Sequence, residues 1–402
     1  GQPGMELSLF SRDVIATWAD VAESYENYAL RRKRFSSSRL LNSTVDSLTH
    51  GLTREREKAE AVLRWVQENL SARGGVGERV DPDGVIESGQ GTYWDITLVL
   101  GEMFERLGLR TDILVTRGHS GGGFDPDFVH PAGVVIPLVT VKLEERTYVA
   151  FPFVRGGMLG EYPHDYFDLH GLSLRTERPH RLPEPASRRS LTRYAYTLDF
   201  SAEPPRHEVE IRYGGYMAYW LRSALLAVSE ESRKEFFQKV LTELGQSNAL
   251  KTYEIEGLDD RGESVTAHLS FDNPTQSIRR KDKVHVNLSH LFPEYFDTYD
   301  SSRTTPFSSR LPNTITEAIR LVKPGWGGTE VSMVCADVSN DLFETACTHK
   351  DGPGEYTFVR TVDIKKADLP AGRMRAIYPD IVSLNRVAES SVVFAGRPKS
   401  SR

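Results

Sequence analysis

The stretch Gly89-Gln90-Gly91-Thr92-Tyr93-Trp94-Asp95 decides how the fold of this chain is interpreted. Apolar residues at helical spacing follow it from Ile96 to Leu107, and Gly108 is well placed to end that helix. Residues 111–116 then have the pattern of a strand. The start of a helix offers free N–H groups and partial positive charge, so it is a position where an enzyme can stabilise an anionic nucleophile.

Length and composition limit the class of protein. The chain has 402 residues, of which 39% are hydrophobic and 26% charged, with a net charge of -6 and a pI of about 6.1. These values are typical of a globular protein of two or three domains, and no basic stripe points to nucleic acid as a partner. No apolar run reaches the roughly 18 residues of a transmembrane helix. Two cysteines are too few for four-cysteine zinc or iron–sulfur sites, and we expect no metal and no cofactor.

Changes in pattern along the chain predict two domains. The first part has helical spacing, and two β-rich runs around Glu144-Glu145 predict a hairpin. Residues 176–190 are rich in proline, arginine and serine without an apolar period, which predicts a boundary. The later chain is mostly β. We therefore predict an α+β fold with a first domain at 1–178, a linker at 179–190, and a C-terminal β domain at 191–402 that carries a helical insert at about 215–246.

The stretch around position 93 resembles the nucleophile segment of the bacterial transglutaminase-like superfamily, in the subgroup with flanking β domains of unknown function. In that family the segment reads Gly-x-Gly-Asp-Cys-x-Asp, followed by an apolar helix, Gly-Ile and a strand that contains Leu-Val. This chain keeps Gly89, Gly91 and Asp95, and it has Gly108-Leu109 and Leu114-Val115 at the matching places.

The resemblance extends towards both ends of the chain. Trp18 matches a tryptophan in the family's first helix. Gly215, Ala218 and Arg222 match the start of the family's C-terminal helical insert. The resemblance implies a papain-like transglutaminase core followed by a β-sandwich-like domain with a helical insert.

The departures from the family pattern affect all three catalytic positions. Tyr93 stands where the family has its cysteine, Ile136 or Val135 where it has its histidine, and Phe151 where it has its acid. The nearest histidine, His130, comes several residues too early. A phenol has a pKa near 10, against about 8.5 for a thiol, so a tyrosine does not easily replace the cysteine. The resemblance therefore implies that transglutaminase and peptidase chemistry has been lost.

The first functional hypothesis is a catalytically inactive protein that acts as a binding or scaffolding module. Its partner would be a protein, a peptide or a glycan. Tyr93 and Trp94 are candidates for binding by stacking, with Asp95 and His130 as further candidates. Two structural alternatives stay open: Tyr93 can simply fill the volume of the lost site, and Asp95 can cap the helix.

The second hypothesis is an enzyme, either a residual hydrolase or an amidase or peptidase with a non-standard nucleophile. Gly118-His119-Ser120-Gly121-Gly122 matches the Gly-x-Ser-x-Gly pattern, with Ser120 as nucleophile and His119 or His130 as its base. That pattern needs a helix after it, whereas more glycine follows, so we favour a surface loop. The acids and histidines of this loop, and those at residues 164–170, have no recognised metal-ligand spacing.

Cys335 and Cys347 lie on either side of a turn predicted around residues 339–341. A disulfide between antiparallel strands is geometrically possible there. Members of the resembling family are typically exported, and export allows cysteines to be oxidised. We therefore expect a disulfide and a periplasmic or cell-envelope location, with two free thiols in a cytoplasmic protein as the alternative.

Overall fold

A computed structural model describes residues 17–32, 38–73, 81–130, 135–202, 205–243, 250–262, 264–271, 277–280, 283–288, 291–293, 295–296, 304–323 and 328–395. The chain divides into two compact units, Gly1–Arg188 and Arg189–Arg402. Both units combine helices with sheets, which confirms the predicted α+β class. Among the described residues, no helix combines the length and the apolar character that crossing a membrane requires.

The first unit has five helices and seven strands in its described residues. They are α1 (Trp18–Arg32), α2 (Arg39–Leu48), α3 (Glu55–Asn69), β1 (Ser71–Ala72), α4 (Pro82–Ser88), β2 (Gln90–Gly91), α5 (Tyr93–Arg106), β3 (Arg110–Thr116), β4 (Ile136–Leu143), β5 (Arg146–Ala150), β6 (His170–Ser173) and β7 (Arg178–Arg181). Strands β3 to β7 form one antiparallel sheet in the order β5-β4-β3-β6-β7. The predicted hairpin is present as β4 and β5, joined at Glu144 and Glu145.

Helix α5 is the centre of the first unit. Its apolar residues recur at helical spacing, so Ile96, Val99, Leu100, Met103 and Phe104 share one side, and all five are buried. They belong to one core with apolar residues of α2, α3 and β4. This packing on several elements fixes the position of α5, and with it the position of its first turn.

The segment predicted as a linker, residues 179–190, differs from that prediction. Its first residues belong to β7, which pairs antiparallel with β6. Leu182 is buried, and the Tyr162 hydroxyl donates a hydrogen bond to the Pro183 carbonyl oxygen at 2.5 Å. A short, mostly exposed strand such as β7 has no apolar period, so its sequence resembles that of a linker although backbone pairing holds it in the sheet.

The described residues of the second unit form three helices and thirteen strands. They are β8 (Ser190–Asp199), β9 (Arg206–Gly215), α6 (Tyr216–Leu226), α7 (Glu230–Glu243), β10 (Leu250–Glu256), β11 (Val265–Phe271), β12 (Ser277–Arg280), β13 (Lys283–Asn287), β14 (Phe307–Ser309), β15 (Asn313–Val322), β16 (Gly328–Ser332), β17 (Phe343–Asp351), β18 (Glu355–Ile364), β19 (Ala367–Leu369), α8 (Ala371–Asn385) and β20 (Ser391–Ala395).

Two sheets share the main core of the second unit. Seven strands lie in the order β10-β11-β9-β8-β15-β18-β17, with β8 and β15 parallel, and four lie in the order β12-β13-β20-β16. Leu198 and Val209 of the larger sheet belong to the same buried cluster as Val286 and Phe394 of the smaller one. Strands that alternate inward apolar and outward polar residues produce this sandwich-like packing.

Helices interrupt the β structure of the second unit at two places. The helical insert consists of α6 and α7, which separate near Ser229, and the end of the predicted insert at about residue 246 lies outside the described residues. The sequence pattern does not predict α8, although that helix buries four apolar residues at helical spacing. Pro379 lies inside α8, and because proline normally breaks a helix, it hides the pattern.

A buried ion pair connects the larger sheet to α8. Glu317 of β15 and Arg360 of β18 lie opposite each other and are almost completely buried, and Arg360 Nη2 donates to Glu317 Oε1 at 2.8 Å. Arg360 Nη1 donates to the Leu384 carbonyl of α8 at 2.9 Å, and the Tyr295 hydroxyl donates to Glu317 Oε1 at 2.8 Å. Burial raises the pKa of Glu317, while the hydrogen bonds from Arg360 and Tyr295 act in the opposite direction.

The two cysteines of the chain form a disulfide in the second unit. Cys335 and Cys347 are bonded, with their Cα atoms 6.4 Å apart. Cys347 lies on β17, an edge strand, and Cys335 lies in the segment before it. The Thr345 N–H donates to the Val338 carbonyl at 2.8 Å, so backbone hydrogen bonding and the disulfide hold this segment beside the same strand.

Replacing both cysteines by serine is expected to lower the free energy of unfolding of the second unit by about 3 kcal/mol, because the disulfide restricts the unfolded chain. Urea denaturation of the full chain measures the change. The wild-type chain in reductant serves as the control and should lose a similar amount. The expectation fails if a thiol reagent titrates two free thiols in the unreduced native protein.

Candidate functional site

Two glycines shape the loop that leads into helix α5. Gly89 ends α4 with a left-handed φ of 66°, a conformation that favours glycine. At Gly91, an added Cβ would lie 2.8 Å from the Cβ of Asp95, so any other residue at this position would displace the Asp95 side chain or the loop backbone. Strand β2 in this loop pairs in parallel with β1, which ties the loop to the end of α3. The backbone before α5 therefore has little freedom.

A reciprocal pair of hydrogen bonds caps the start of α5. The Asp95 N–H donates to Thr92 Oγ1 at 3.1 Å, and the Thr92 N–H donates to Asp95 Oδ2 at 2.8 Å. This capping box satisfies two N–H groups that the first turn of a helix leaves without a backbone partner. Asp95 is only 6% exposed, so its carboxylate serves the helix and is not presented to solvent. Of the two roles left open for Asp95, the geometry favours the cap.

Tyr93 is the first residue of α5 and is 42% exposed. Its ring contacts Phe153 edge-on, with ring centroids 4.8 Å apart. Phe153 in turn meets Phe151 at 5.4 Å, and Phe151 meets Tyr166 at 5.7 Å. We call these four residues the aromatic cluster. Burial, followed by the charge of Asp165, raises the pKa of Tyr166 to about 12, so that phenol is neutral at physiological pH.

Ile136 and Phe151, at the other two positions that the resemblance singles out, lie at the start of β4 and directly after β5. Thr97, one turn after Tyr93, donates from its hydroxyl to the Pro137 carbonyl at 3.2 Å, which brings the first turns of α5 to Ile136 at the start of β4. Phe151 directly follows β5, which pairs with β4, and belongs to the aromatic cluster. The side chains at these three positions are a phenol, an alkyl and a benzyl group, and none of them is a carboxylate or an imidazole.

Trp94 and His130 lie outside the aromatic cluster. Trp94 stacks on Tyr25 of α1 with ring centroids 5.3 Å apart and packs against the buried apolar residues of the unit. It is therefore part of the packing between α1 and α5, and its role in binding stays a prediction. His130 stacks on the exposed Phe128 at 5.9 Å. No contact within the described residues joins the His130 ring to Tyr93.

The loop of Ser120 is held by an acid that the sequence pattern did not single out as its partner. The Ser120 hydroxyl donates to Asp165 Oδ2 and its N–H donates to Asp165 Oδ1, both at 2.8 Å. An added Cβ at Gly118 would lie 1.9 Å from Asp165 Oδ2, so this contact requires glycine. His119 Nε2 lies 2.9 Å from the Phe167 carbonyl oxygen, not beside the serine hydroxyl. Residues 119–121 form one short 3-10 turn without the α-helix that a nucleophile elbow needs.

The polar loops do not assemble a metal site in the part of the chain that the structure describes. No group of three or more His, Cys, Asp or Glu residues there has the arrangement of metal ligands. Asp168, at a positive φ of 62°, accepts a hydrogen bond from Arg181 at 2.8 Å and pairs with Arg188. Asp168 therefore connects its own segment to the last residues of the first unit, through Arg181 and Arg188.

Comparison with known proteins gives a likeness in fold alone. No protein-family model matches the chain, and no curated protein sequence matches it. The structure is similar to the crystal structure of a "putative protease" from Parabacteroides distasonis, with a TM-score of 0.50 and 14% sequence identity. The match covers 94% of this chain and 59% of that protein, so the chain spans about three fifths of its neighbour's length.

Replacing Thr92 by alanine is expected to lower the free energy of unfolding of the first unit by about 1 kcal/mol, since one side of the capping box is lost. Thr92→Ser keeps the hydroxyl and is the matched control. Urea denaturation compares the two variants with the wild type. Equal stabilities of the alanine and serine variants would contradict a capping role.

Proposed function

We propose that this chain is a transglutaminase-like protein without catalytic machinery, and that it acts as a binding or scaffolding module. One observation carries the proposal. Tyr93 stands at the capped start of α5, where the resembling family has its cysteine, and its half-exposed ring packs into the aromatic cluster. The loop before Tyr93 ends in a capped helix start, and the exposed Tyr93 ring is available for contact.

The chemistry of the neighbouring residues supports the loss of catalysis. Residues 1–188 contain no cysteine. Ile136 and Phe151, at the histidine and acid positions, offer no group that can accept or donate a proton, and nucleophilic catalysis needs such a group beside the nucleophile. The structural neighbour is described as a "putative protease", and that description supports a protease-like fold for this chain.

The alternative, a hydrolase that uses Ser120, has weaker support. The Ser120 hydroxyl donates its hydrogen bond to Asp165, and the nearest imidazole nitrogen of that loop is directed at a backbone carbonyl. A serine nucleophile needs a base that takes its proton and an N–H pair that stabilises the oxyanion. The described hydrogen bonds of the loop supply neither.

The chemistry of the exposed ring favours a peptide over a glycan. Tyr93 contacts Phe153, which in turn contacts Phe151, and Phe151 contacts Tyr166. Sites for sugars combine a stacking ring with several polar groups, whereas this cluster is apolar and aromatic. An aromatic or aliphatic side chain of an extended peptide can pack against Tyr93 and leave its backbone in water. The partner that we propose is therefore a protein segment with an exposed apolar residue.

An oxidising compartment is the location that we propose. The only two cysteines of the chain are bonded to each other, and disulfides persist in secreted and periplasmic proteins. This supports the periplasm or cell envelope over the cytoplasm.

Incubation of the full chain with a glutamine peptide, an amine donor and a fluorophosphonate serine probe tests the absence of catalysis. We expect no transamidation, no hydrolysis and no covalent labelling above background, because the altered positions supply neither a thiol nor a base. An active transglutaminase serves as the positive control. Turnover, or labelling that disappears in Ser120→Ala, would overturn the proposal in favour of the hydrolase.

Selection of heptapeptides from a displayed library tests the binding role. Selected peptides are expected to bind Tyr93→Ala at least about tenfold more weakly than the wild type, because an aromatic anchor at the centre of a contact carries much of the binding energy. Tyr93→Phe keeps the ring and should retain binding. Phe128→Ala, at another exposed aromatic residue of the same unit, is the matched control. Peptides whose affinity does not depend on Tyr93 would contradict the proposal.

A further inference from the structure

One face of the larger sheet of the second unit is directed away from the core. On the other face, Leu198 and Val209 belong to the buried cluster that α6, α7 and the smaller sheet complete. Side chains alternate along a strand, so the residues between these buried ones point to the opposite side. We call that side the outer face. On β8 and β9 it carries Leu191, Arg193, Ala195, Glu208, Glu210 and Arg212.

Two arginines meet on the outer face. Arg193 of β8 and Arg212 of β9 lie directly opposite each other in the strand register, and both are exposed. Side chains at opposite positions are only about 5 Å apart, so two like charges there destabilise the sheet. Arg212 Nε donates to Ser264 Oγ at 3.0 Å, but neither guanidinium forms an ion pair within the described residues. Arg320 of the same sheet, by contrast, pairs with Glu355 at 2.7 Å.

An exposed leucine lies beside the two arginines. Leu191 precedes Arg193 by two residues on β8, so both side chains point to the outer face, and Leu191 is 47% exposed. Gly214 of β9 lies opposite Leu191, and an added Cβ at Gly214 would be 3.2 Å from the Cβ of Leu191. We call Leu191, Arg193 and Arg212 the basic patch. It combines two positive charges with an apolar side chain.

A groove of about 440 Å³ lies on the same face, over strands β8 to β11. Glu208, Glu210 and Glu254 line it together with the small side chain of Ala195. Glu210 lies opposite Ala195, two residues before Arg212 on β9, so the groove begins in the row of the register next to the basic patch. In the part of the chain that the structure describes, none of the three carboxylates forms an ion pair. We call this the acidic groove.

We propose that the outer face joins two copies of this chain in a symmetric dimer. In a two-fold arrangement the basic patch of each copy lies against the acidic groove of the other, so the same contact is made twice. The pairing gives ion-pair partners to two guanidinium groups and three carboxylates on each copy, and opposite potentials on facing surfaces favour association. A second copy is the partner that fits, because both halves of the contact lie on one face of this chain. The contact belongs to the second unit and is separate from the surface at Tyr93.

The outer face is large enough for such a contact. Its seven strands lie about 4.8 Å apart, and three or four outward side chains on each cover roughly 600 Å². Two copies would therefore bury roughly 1,200 Å², which is the lower limit of a standard interface. Ala195, Ala318 and Val359 lie in one row across the middle of the face, and such small side chains let two sheets approach closely. We therefore expect a dimer that forms reversibly at micromolar concentrations.

Sedimentation equilibrium of the full chain at micromolar concentrations tests the proposal. We expect a monomer–dimer equilibrium whose dissociation constant rises with salt, because the contact joins exposed charges. Arg193→Glu with Arg212→Glu places carboxylates against the acidic groove, and Glu208→Lys with Glu210→Lys places ammonium groups against the basic patch. Like charges that face each other across an interface are costly, so each double variant should raise the dissociation constant at least about a hundredfold.

The control reverses two exposed cations elsewhere. The side chains of Arg54 and Lys239 are 81% and 77% exposed, and neither residue belongs to the outer face. The double variant Arg54→Glu with Lys239→Glu changes the net charge as much as the arginine variant does. It should dimerise like the wild type.

An equimolar mixture of the two outer-face variants is the sharpest test. Their reversed charges are complementary, so the mixture should form a heterodimer although neither variant dimerises alone. Circular dichroism shows whether each variant is folded, and Arg193→Gln with Arg212→Gln, which removes the charges without reversing them, decides the matter if a reversal variant is not. The proposal is overturned if the wild type stays monomeric, which would leave the outer face to another partner. It is equally overturned if the folded variants dimerise like the wild type, or if their mixture stays monomeric.

Discussion

The reciprocal hydrogen bonds between Thr92 and Asp95 are the constraint on which the first unit depends. They fix where helix α5 begins, and α5 supplies the side chains around which α2, α3 and β4 pack. Gly91 is needed because the Asp95 side chain occupies the place of a Cβ at that position. A change in this capping box would therefore affect both the loop before α5 and the core behind it.

Because of this capping box, the backbone of residues 89–95 can be explained without any catalytic role for residue 93. Gly89, Gly91 and Asp95 have the pattern of a nucleophile loop in the sequence, yet in the structure they form a turn, a close contact and a helix cap. Such residues are needed whether or not a nucleophile follows them. The side chain at Tyr93 is free to differ, because it points out of the capped turn and packs only on one side.

Local patterns in the sequence predict the elements that are periodic. Helix α5 and the β4–β5 hairpin follow from apolar spacing, whereas Pro379 hides helix α8, and β7 is too short and too polar to show a period. The aromatic cluster is predicted only in part. Phe151 is identified through its position in the family pattern, but its contact with Tyr166 depends on how distant segments fold together.

Contacts between distant residues explain what the sequence does not reveal about the sites. Ser120 and Asp165 are 45 residues apart, and nothing in either segment pairs them before the chain is folded. The loss of chemistry that we propose at Tyr93 therefore follows more directly from residue identity than the proposed binding surface does.

The most direct test of the central claim is a fluorine NMR titration of the full chain with 3-fluorotyrosine incorporated at position 93 alone. The titrant is a heptapeptide selected for binding. Our account predicts a saturable shift of the fluorine resonance and an unchanged protein mass, because the ring is a contact surface and forms no covalent bond. A resonance that stays in place while the peptide binds, or a covalent adduct in the mass spectrum, would contradict it.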